Sequence, residues 1–293
     1  MTTTLRLGGD LEVGRIGYGT MRLAPQESDF DPGVFHVWRA PADRRAAIAV
    51  LRRAVESGVN LIDTADVYAL GDIEELIAEA LAPYRDDVVI ATKVGAVHPS
   101  PTEWLPLGHP AYLRQQAELC LRRLRVDHID LLQLHRVDPE YPLEDQLGAL
   151  HRLVTEGKVR HIGLSEVSVD QIRAAAEIVP IASVQNLYNL THRAADDVVE
   201  YAAAQGIAFL PWFPVAAGAH ATADGPLADV AAELGATPVQ VSLAWLLHRS
   251  PTMLPIPGTA SPTHLDENIA AARIELSDSQ FERLSALTAG AHE

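Results

Sequence analysis

The chain is 293 residues long, 48% apolar and slightly positive in mean hydropathy, so it can bury a large core and is not disordered. Its 23 basic and 39 acidic residues leave a formal net charge of −16, which argues against nucleic acid or an anionic membrane as a partner. The single cysteine, Cys120, excludes an internal disulfide and fits a reducing, cytoplasmic compartment, and neither a signal peptide nor a membrane-spanning apolar run is expected.

In chain order, residues 4–7 and 11–13, joined through Gly8-Gly9-Asp10, predict a β-hairpin that could close the bottom of a barrel. Eight strand candidates follow, at 16–21, 61–63, 88–93, 129–135, 159–164, 182–185, 208–212 and 253–256. Between and after them lie helical patterns at 44–57, 73–81, 111–124, 143–156, 170–178, 194–205, 239–249 and 262–271, with one more beyond Leu276. In the first of these, Ile48, Leu51, Arg52 and Val55 follow the spacing of a helix with one buried stripe. Gly58, Gly157 and Gly206 each end a helix, and Thr237-Pro238 reads as an N-cap followed by the first helical position. Cys120 sits inside a predicted helix and reads as packing.

Strand and helix alternating eight times predict an α/β chain folded as a (β/α)₈ barrel, one domain over residues 1–293 with an N-terminal hairpin and an extra C-terminal helix. An open doubly wound sheet also alternates. A dinucleotide-binding version of it needs G-x-G-x-x-G, and Gly17-Tyr18-Gly19 lacks the third glycine. Two long connections leave the C-terminal ends of strands: 98–110, with Trp104 and four prolines, and 213–226, with His220. Both are placed to wall a substrate pocket.

Three apolar runs end in polar, titratable groups: GVNLIDTADVY in Asp63 and Tyr68, VVIATKVG in Lys93, and HIDLLQLHRVD in His135. Taken singly, each has a plain structural reading as a turn cap, a packed ring, a snorkelling lysine or a hydrogen-bonded histidine. Together, at the ends of the second, third and fourth strands, they converge on one mouth of a barrel. An ammonium beside a phenol stabilises the phenolate and lowers its pKa, and Asp63 can hold Lys93 charged and oriented. His135 can donate to a carbonyl oxygen and fix its direction. The set suits reduction of a carbonyl, with hydride to carbon and a proton from Tyr68 to oxygen. A strand-end lysine also permits a Schiff-base lyase or aldolase acting through Lys93.

GVNLIDTADVY, IATKVG, LLQLHRVD, HIGLSEVS and IPGTASPTHLDENI, in this order and spacing, resemble the aldo-keto reductase family over essentially the whole chain. The resemblance implies a (β/α)₈ barrel, a nicotinamide cofactor bound without a Rossmann fold, and the tetrad Asp63, Tyr68, Lys93 and His135 with Tyr68 as acid. It further implies that Ser165 and Gln185 hold the nicotinamide carboxamide, that Trp212 stacks on the ring, and that the backbone of Gly19 and Thr20 lies beside its ribose. Gly258 and Thr259 are implied near the adenosine phosphates, and Glu267 and Asn268 face the adenine.

The chain departs from the family pattern at three places. Glu166 stands where many relatives have Asn for the carboxamide. Gly258 replaces a Lys often used for the 2′-phosphate, and His264 stands where Arg is common. Thr259, Ser261 and His264 remain to bind that phosphate, so NADP(H) is the expected cofactor and NAD(H) the alternative. VQNLYNLTHRAADD, GIAFLPWFPVA and LGATPVQVSLAWLLHRSP look most like the pyridoxal reductase (pyridoxine 4-dehydrogenase) branch. With only one helix and a short tail after Leu276, an open pocket is expected, suited to a pyridoxal-like or other bulky or aromatic carbonyl. A non-catalytic nicotinamide-binding sensor is the remaining alternative on this fold. No H-E-x-x-H, cysteine pair, P-loop or G-x-S-x-G is present, so neither a metal site nor a hydrolase elbow is expected.

Overall fold

The computed structural model describes residues 3–24, 37–216 and 225–287. It opens with the antiparallel hairpin β1 (Thr4–Leu7) and β2 (Leu11–Gly14). Then come β3 (Tyr18–Gly19), α1 (Arg44–Glu56), β4 (Leu61–Asp63), α2 (Asp72–Leu81) and β5 (Val89–Val94). β6 (Ala96–Ser100) and β7 (Glu103–Pro106) precede α3 (Pro110–Leu124), β8 (Ile129–Leu134), α4 (Leu143–Thr155) and β9 (Val159–Ser165). The chain continues through α5 (Val169–Ala176), β10 (Ile181–Gln185), α6 (Asp196–Gln205), β11 (Ala208–Phe209), α7 (Pro226–Leu234), α8 (Pro238–Arg249), α9 (Pro262–Ala270) and α10 (Asp278–Ser285).

Seven strands form one parallel sheet in the order β3-β4-β5-β8-β9-β10-β11. The eighth segment, expected as a strand over 253–256, joins as a single parallel bridge between Met253 and Phe209. It nevertheless closes the ring. Leu254 N donates to Phe209 O at 2.8 Å on one side, and Gly17 N donates to Pro255 O at 2.9 Å on the other. Pro255 and Pro257 have no N–H, so a longer ladder cannot form there. The first strand is likewise shorter than the expected 16–21, because the chain turns into a 3-10 segment at Thr20–Leu23.

The inward residues Leu61, Val89, Ala91, Leu131, Ala182, Ala208 and Leu254 fill the barrel, and Leu7, Leu11 and Val13 of the hairpin join this same cluster as its floor. The second, larger apolar layer lies between strands and helices and includes Cys120, whose thiol is pushed well above its usual range by burial. The helix signals hold in detail. Thr237 and Gln240 form a reciprocal capping box with Pro238 at the first helical position, and Ser168 with Gln171 and Ser277 with Gln280 repeat it.

Two further elements differ from expectation. The connection 98–110 is no plain loop, because it carries β7 and the end of β6, which pair antiparallel. After the seventh strand the chain adds α7, whose Leu227, Val230 and Ala231 are buried at helical spacing. Among the described residues no single helix is long and apolar enough to cross a membrane; only the bent pair α7 and α8 reaches that length together.

Arg15 supplies the closure that the prolines withhold. It is buried, and its guanidinium donates to Met253 O at 3.3 Å, Leu247 O at 3.3 Å and Ser250 O at 3.1 Å. These carbonyls belong to the eighth segment and the C-terminal end of α8, where a cation is favoured. Arg15→Met is expected to cost roughly 2–4 kcal/mol, because it strands buried carbonyls. A urea midpoint unchanged from wild type would show that the ring closes without this side chain.

Candidate active site

β4, β5 and β8 bring Asp63, Lys93 and His135 to the same end of the barrel, and the turn after β4 carries Tyr68 over them. Lys93 is almost completely buried. Its Nζ donates to Asp63 Oδ2 at 2.7 Å and to the Thr64 carbonyl at 2.8 Å, and lies 5.3 Å from the centre of the Tyr68 ring. His135 meets Tyr68 edge-on, with ring centres 6.4 Å apart. The four sequence-expected residues are therefore one cluster.

The electrostatics divide the cluster into roles. Burial opposes the Lys93 charge, but Asp63 and the Tyr68 oxygen outweigh it, so the ammonium is held more firmly protonated than a free lysine. For Tyr68 the balance runs the other way from the sequence argument. Burial raises its phenol, the charge and hydrogen bond of Lys93 offset part of that, and Asp63 adds to it. Lys93 acts in the expected direction, yet the net position is above the usual phenol value. His135 is pushed well below the usual imidazole range by burial and by the cations Lys93 and Arg136, so it is neutral at pH 7.

A cleft of about 680 Å³ runs from this cluster toward α9. At one end it is lined by Asp63, Tyr68, Gln185 and Trp212, and at the other by Thr259, Ser261, His264, Glu267 and Asn268, with Gly19 and Gly258 between. Gly19 is a requirement of closure: a Cβ there would sit 2.6 Å from Ile256 O of the eighth segment. A smaller adjoining space of about 40 Å³ is walled by Tyr68, His135, Trp104, Arg136, Ser165 and Trp212. Trp104, on β7, packs edge-on against His135 at 5.1 Å, and His98 on β6 packs edge-on against Trp104 at 4.6 Å. The first long connection thus lines the pocket. His220 of the second lies outside the described residues.

Two expected cofactor residues have side chains engaged within the protein. Thr20 is buried and spends its hydroxyl on the Asp63 carbonyl at 3.0 Å. Glu166, at φ 55°, accepts from Leu187 N at 2.7 Å and from Trp212 Nε1 at 2.5 Å, so it fixes the indole in place. A positive φ suits the Asn found there in many relatives better than it suits Glu. The residues that line the cleft fit a dinucleotide on chemical grounds: an amide and a hydroxyl, Gln185 and Ser165, beside an indole near the tetrad, and hydroxyls, an imidazole and a helix N-terminus at the far end.

Sequence reasoning missed Gln133, Arg136 and Arg22. Gln133 is buried beside Asp63, to which its Nε2 donates at 3.2 Å. Arg136 donates to His135 O at 2.6 Å and to Ser165 Oγ at 3.3 Å. Arg22 lines the cleft beside Gly258. The polar interruption in LLQLH was the available signal for the first.

The aldo/keto reductase family model matches residues 15–289. An uncharacterised oxidoreductase of Schizosaccharomyces pombe is 46% identical over 276 residues, covering 94% of this chain and 87% of its own length. The pyridoxine 4-dehydrogenase of Escherichia coli is 43% identical over 286 residues, with 96% of each chain covered. An aldo/keto reductase of Klebsiella pneumoniae, solved in complex with NADP and acetate, superposes with a TM-score of 0.82 at 30% identity, over 100% of this chain and 98% of that one. With the family model and both relatives spanning nearly the whole chain, this protein belongs to the aldo/keto reductase family.

Proposed function

We propose that this protein reduces an aldehyde or ketone to the alcohol, reversibly, with NADP(H) and with Tyr68 as proton donor. The observation that carries this reading is the buried Asp63–Lys93 pair set against Tyr68 at the mouth of the cleft. When bound, the nicotinamide supplies the hydride. The chain's own residues do the rest. Ser165, Gln185 and Trp212 would hold the nicotinamide end, and Thr259, Ser261, His264, Glu267 and Asn268 the adenosine end. Neutral His135 offers an N–H to the carbonyl oxygen and aims it. Tyr68 Oη gives that oxygen its proton, and the Lys93 ammonium stabilises the phenolate left behind.

A Schiff-base reading of Lys93 is disfavoured by the same contacts. A lysine buried, protonated and tied to a carboxylate and a carbonyl is not a nucleophilic amine. For the substrate we favour a flat aromatic aldehyde of the pyridoxal kind. Support comes from the aromatic wall of Trp38, His98, Trp104 and His135 and from likeness to the pyridoxine 4-dehydrogenase. The whole chain acts as one domain, and the single buried thiol fits the cytoplasm.

Mixing the protein with NADPH and a carbonyl panel that includes pyridoxal should consume the reduced nicotinamide absorbance. Tight binding without turnover across the panel would instead mark a sensor. Tyr68→Phe should lower kcat by about 10²–10⁴-fold while leaving NADPH affinity intact, and Lys93→Met should be nearly as damaging. Full activity in Tyr68→Phe removes Tyr68 as the donor. The pH dependence follows from His135: a depressed imidazole stays neutral as pH falls through about 6.5, the usual value, so reduction should show no acid limb there. An acid limb near that pH that disappears in His135→Asn would mean that the imidazole titrates normally.

A further inference from the structure

Gln133 is a fully buried amide near the C-terminal end of β8, in a barrel interior filled mostly by aliphatic side chains. A buried amide costs about 1–3 kcal/mol unless its hydrogen bonds are made. Here they are made, with Asp63 and with Gln185. Gln133 Nε2 donates to Asp63 Oδ1 at 3.2 Å. Gln185 Nε2 donates to the same oxygen at 2.9 Å and to Gln133 Oε1 at 3.4 Å. Lys93 takes the other carboxylate oxygen, Asp63 Oδ2, at 2.7 Å. Donors from β5, β8 and β10 therefore converge on one carboxylate.

The orientation of both amides follows from that carboxylate. Ionised Asp63 only accepts, so each glutamine must turn its NH₂ toward it. Gln133 Oε1 is then left to accept the second N–H of Gln185, and Gln185 Oε1 becomes the atom turned to the cleft that Gln185 lines. The neighbouring strand makes room for this arrangement. A Cβ on Gly163 would come within 2.9 Å of Gln133 Cγ and 2.2 Å of Ser183 Oγ.

We propose that Gln133 is a positioning residue that locks Asp63 against Lys93 and locks the Gln185 amide with its oxygen toward the nicotinamide, joining the cofactor contact to the proton donor in one hydrogen-bonded unit. The proposal rests on the reading of Tyr68 as donor. Gln133 touches neither the cleft nor the reacting atoms; its effect passes through Asp63 and Gln185.

Two variants separate this role from packing. Gln133→Met keeps the volume and removes the hydrogen bonds. It should melt close to wild type, lose about tenfold in kcat through the displaced pair, and bind NADPH several-fold more weakly by fluorescence titration. Gln133→Glu introduces a carboxyl beside Asp63, and like charge and burial keep that group protonated at low pH. As an acid it still donates to Asp63, so turnover near pH 6 should approach wild type. As pH rises and the new group ionises, turnover should fall along a limb that wild type lacks. Wild-type kcat and NADPH affinity in Gln133→Met overturn the proposal. A wild-type pH profile in Gln133→Glu does the same, and decides alone if Gln133→Met does not fold. Tyr68→Phe, run in parallel, tells the two failures apart. Full turnover in it overturns the donor reading and this inference together; an inactive Tyr68→Phe beside unaffected Gln133 variants overturns this inference only.

Discussion

The ion pair between Asp63 and Lys93 is the constraint on which the rest of the site depends. Both groups are buried, and taking two charges out of water costs several kcal/mol per ion before their attraction is counted. Such a pair persists only where the remaining hydrogen-bonding positions are filled. Here the Thr64 carbonyl takes a second proton of Lys93, and Gln133 and Gln185 fill the far oxygen of Asp63. Even the Asp63 carbonyl is engaged, by the Thr20 hydroxyl. The pair is thus a joint between four strands and the turn after the first of them, and Tyr68 inherits its position from that joint.

The barrel supplies the geometry that makes this joint affordable. Parallel strands end side by side at one mouth, so residues far apart in the chain meet without long loops. The hairpin floor and the aliphatic filling exclude water from below. Closure is weakest where Pro255 and Pro257 stop the ladder, and there Arg15 binds carbonyls of α8 and the eighth segment. That seam also carries Gly19 and Gly258, packed so tightly that neither tolerates a side chain, and it forms the floor of the cleft.

Much of this was legible in the sequence, for a physical reason. An apolar run that ends in one polar group marks both a buried strand and the mouth to which it points, so Asp63, Lys93 and His135 can be gathered from the sequence alone. Gln133 was not gathered, because it lies inside its run, where the same logic predicts an error or a partner and the partner is visible only in three dimensions. The β6–β7 pair was hidden by its prolines, and α7 by the Gly- and Ala-rich segment before it. Thr20 and Glu166 both follow directly on strands, but sequence position does not say which way a side chain turns. One turns to Asp63 and the other to Trp212.

The same limit applies to acidity. Sequence alone identifies the ammonium that lowers the Tyr68 pKa; it does not weigh the burial that raises it. In the folded chain burial prevails, so the resting phenol keeps its proton at neutral pH. In the reduction proposed above that proton passes to the carbonyl oxygen and leaves a phenolate, which burial disfavours and the charges of Lys93 and Arg136 support. His135 points the same way, since a neutral imidazole beside two cations can donate to a carbonyl oxygen without bringing a third positive charge into the pocket. In that proposed reading the site holds, at neutral pH, the acid that a carbonyl requires, with Lys93 in place to stabilise the anion once the proton has gone.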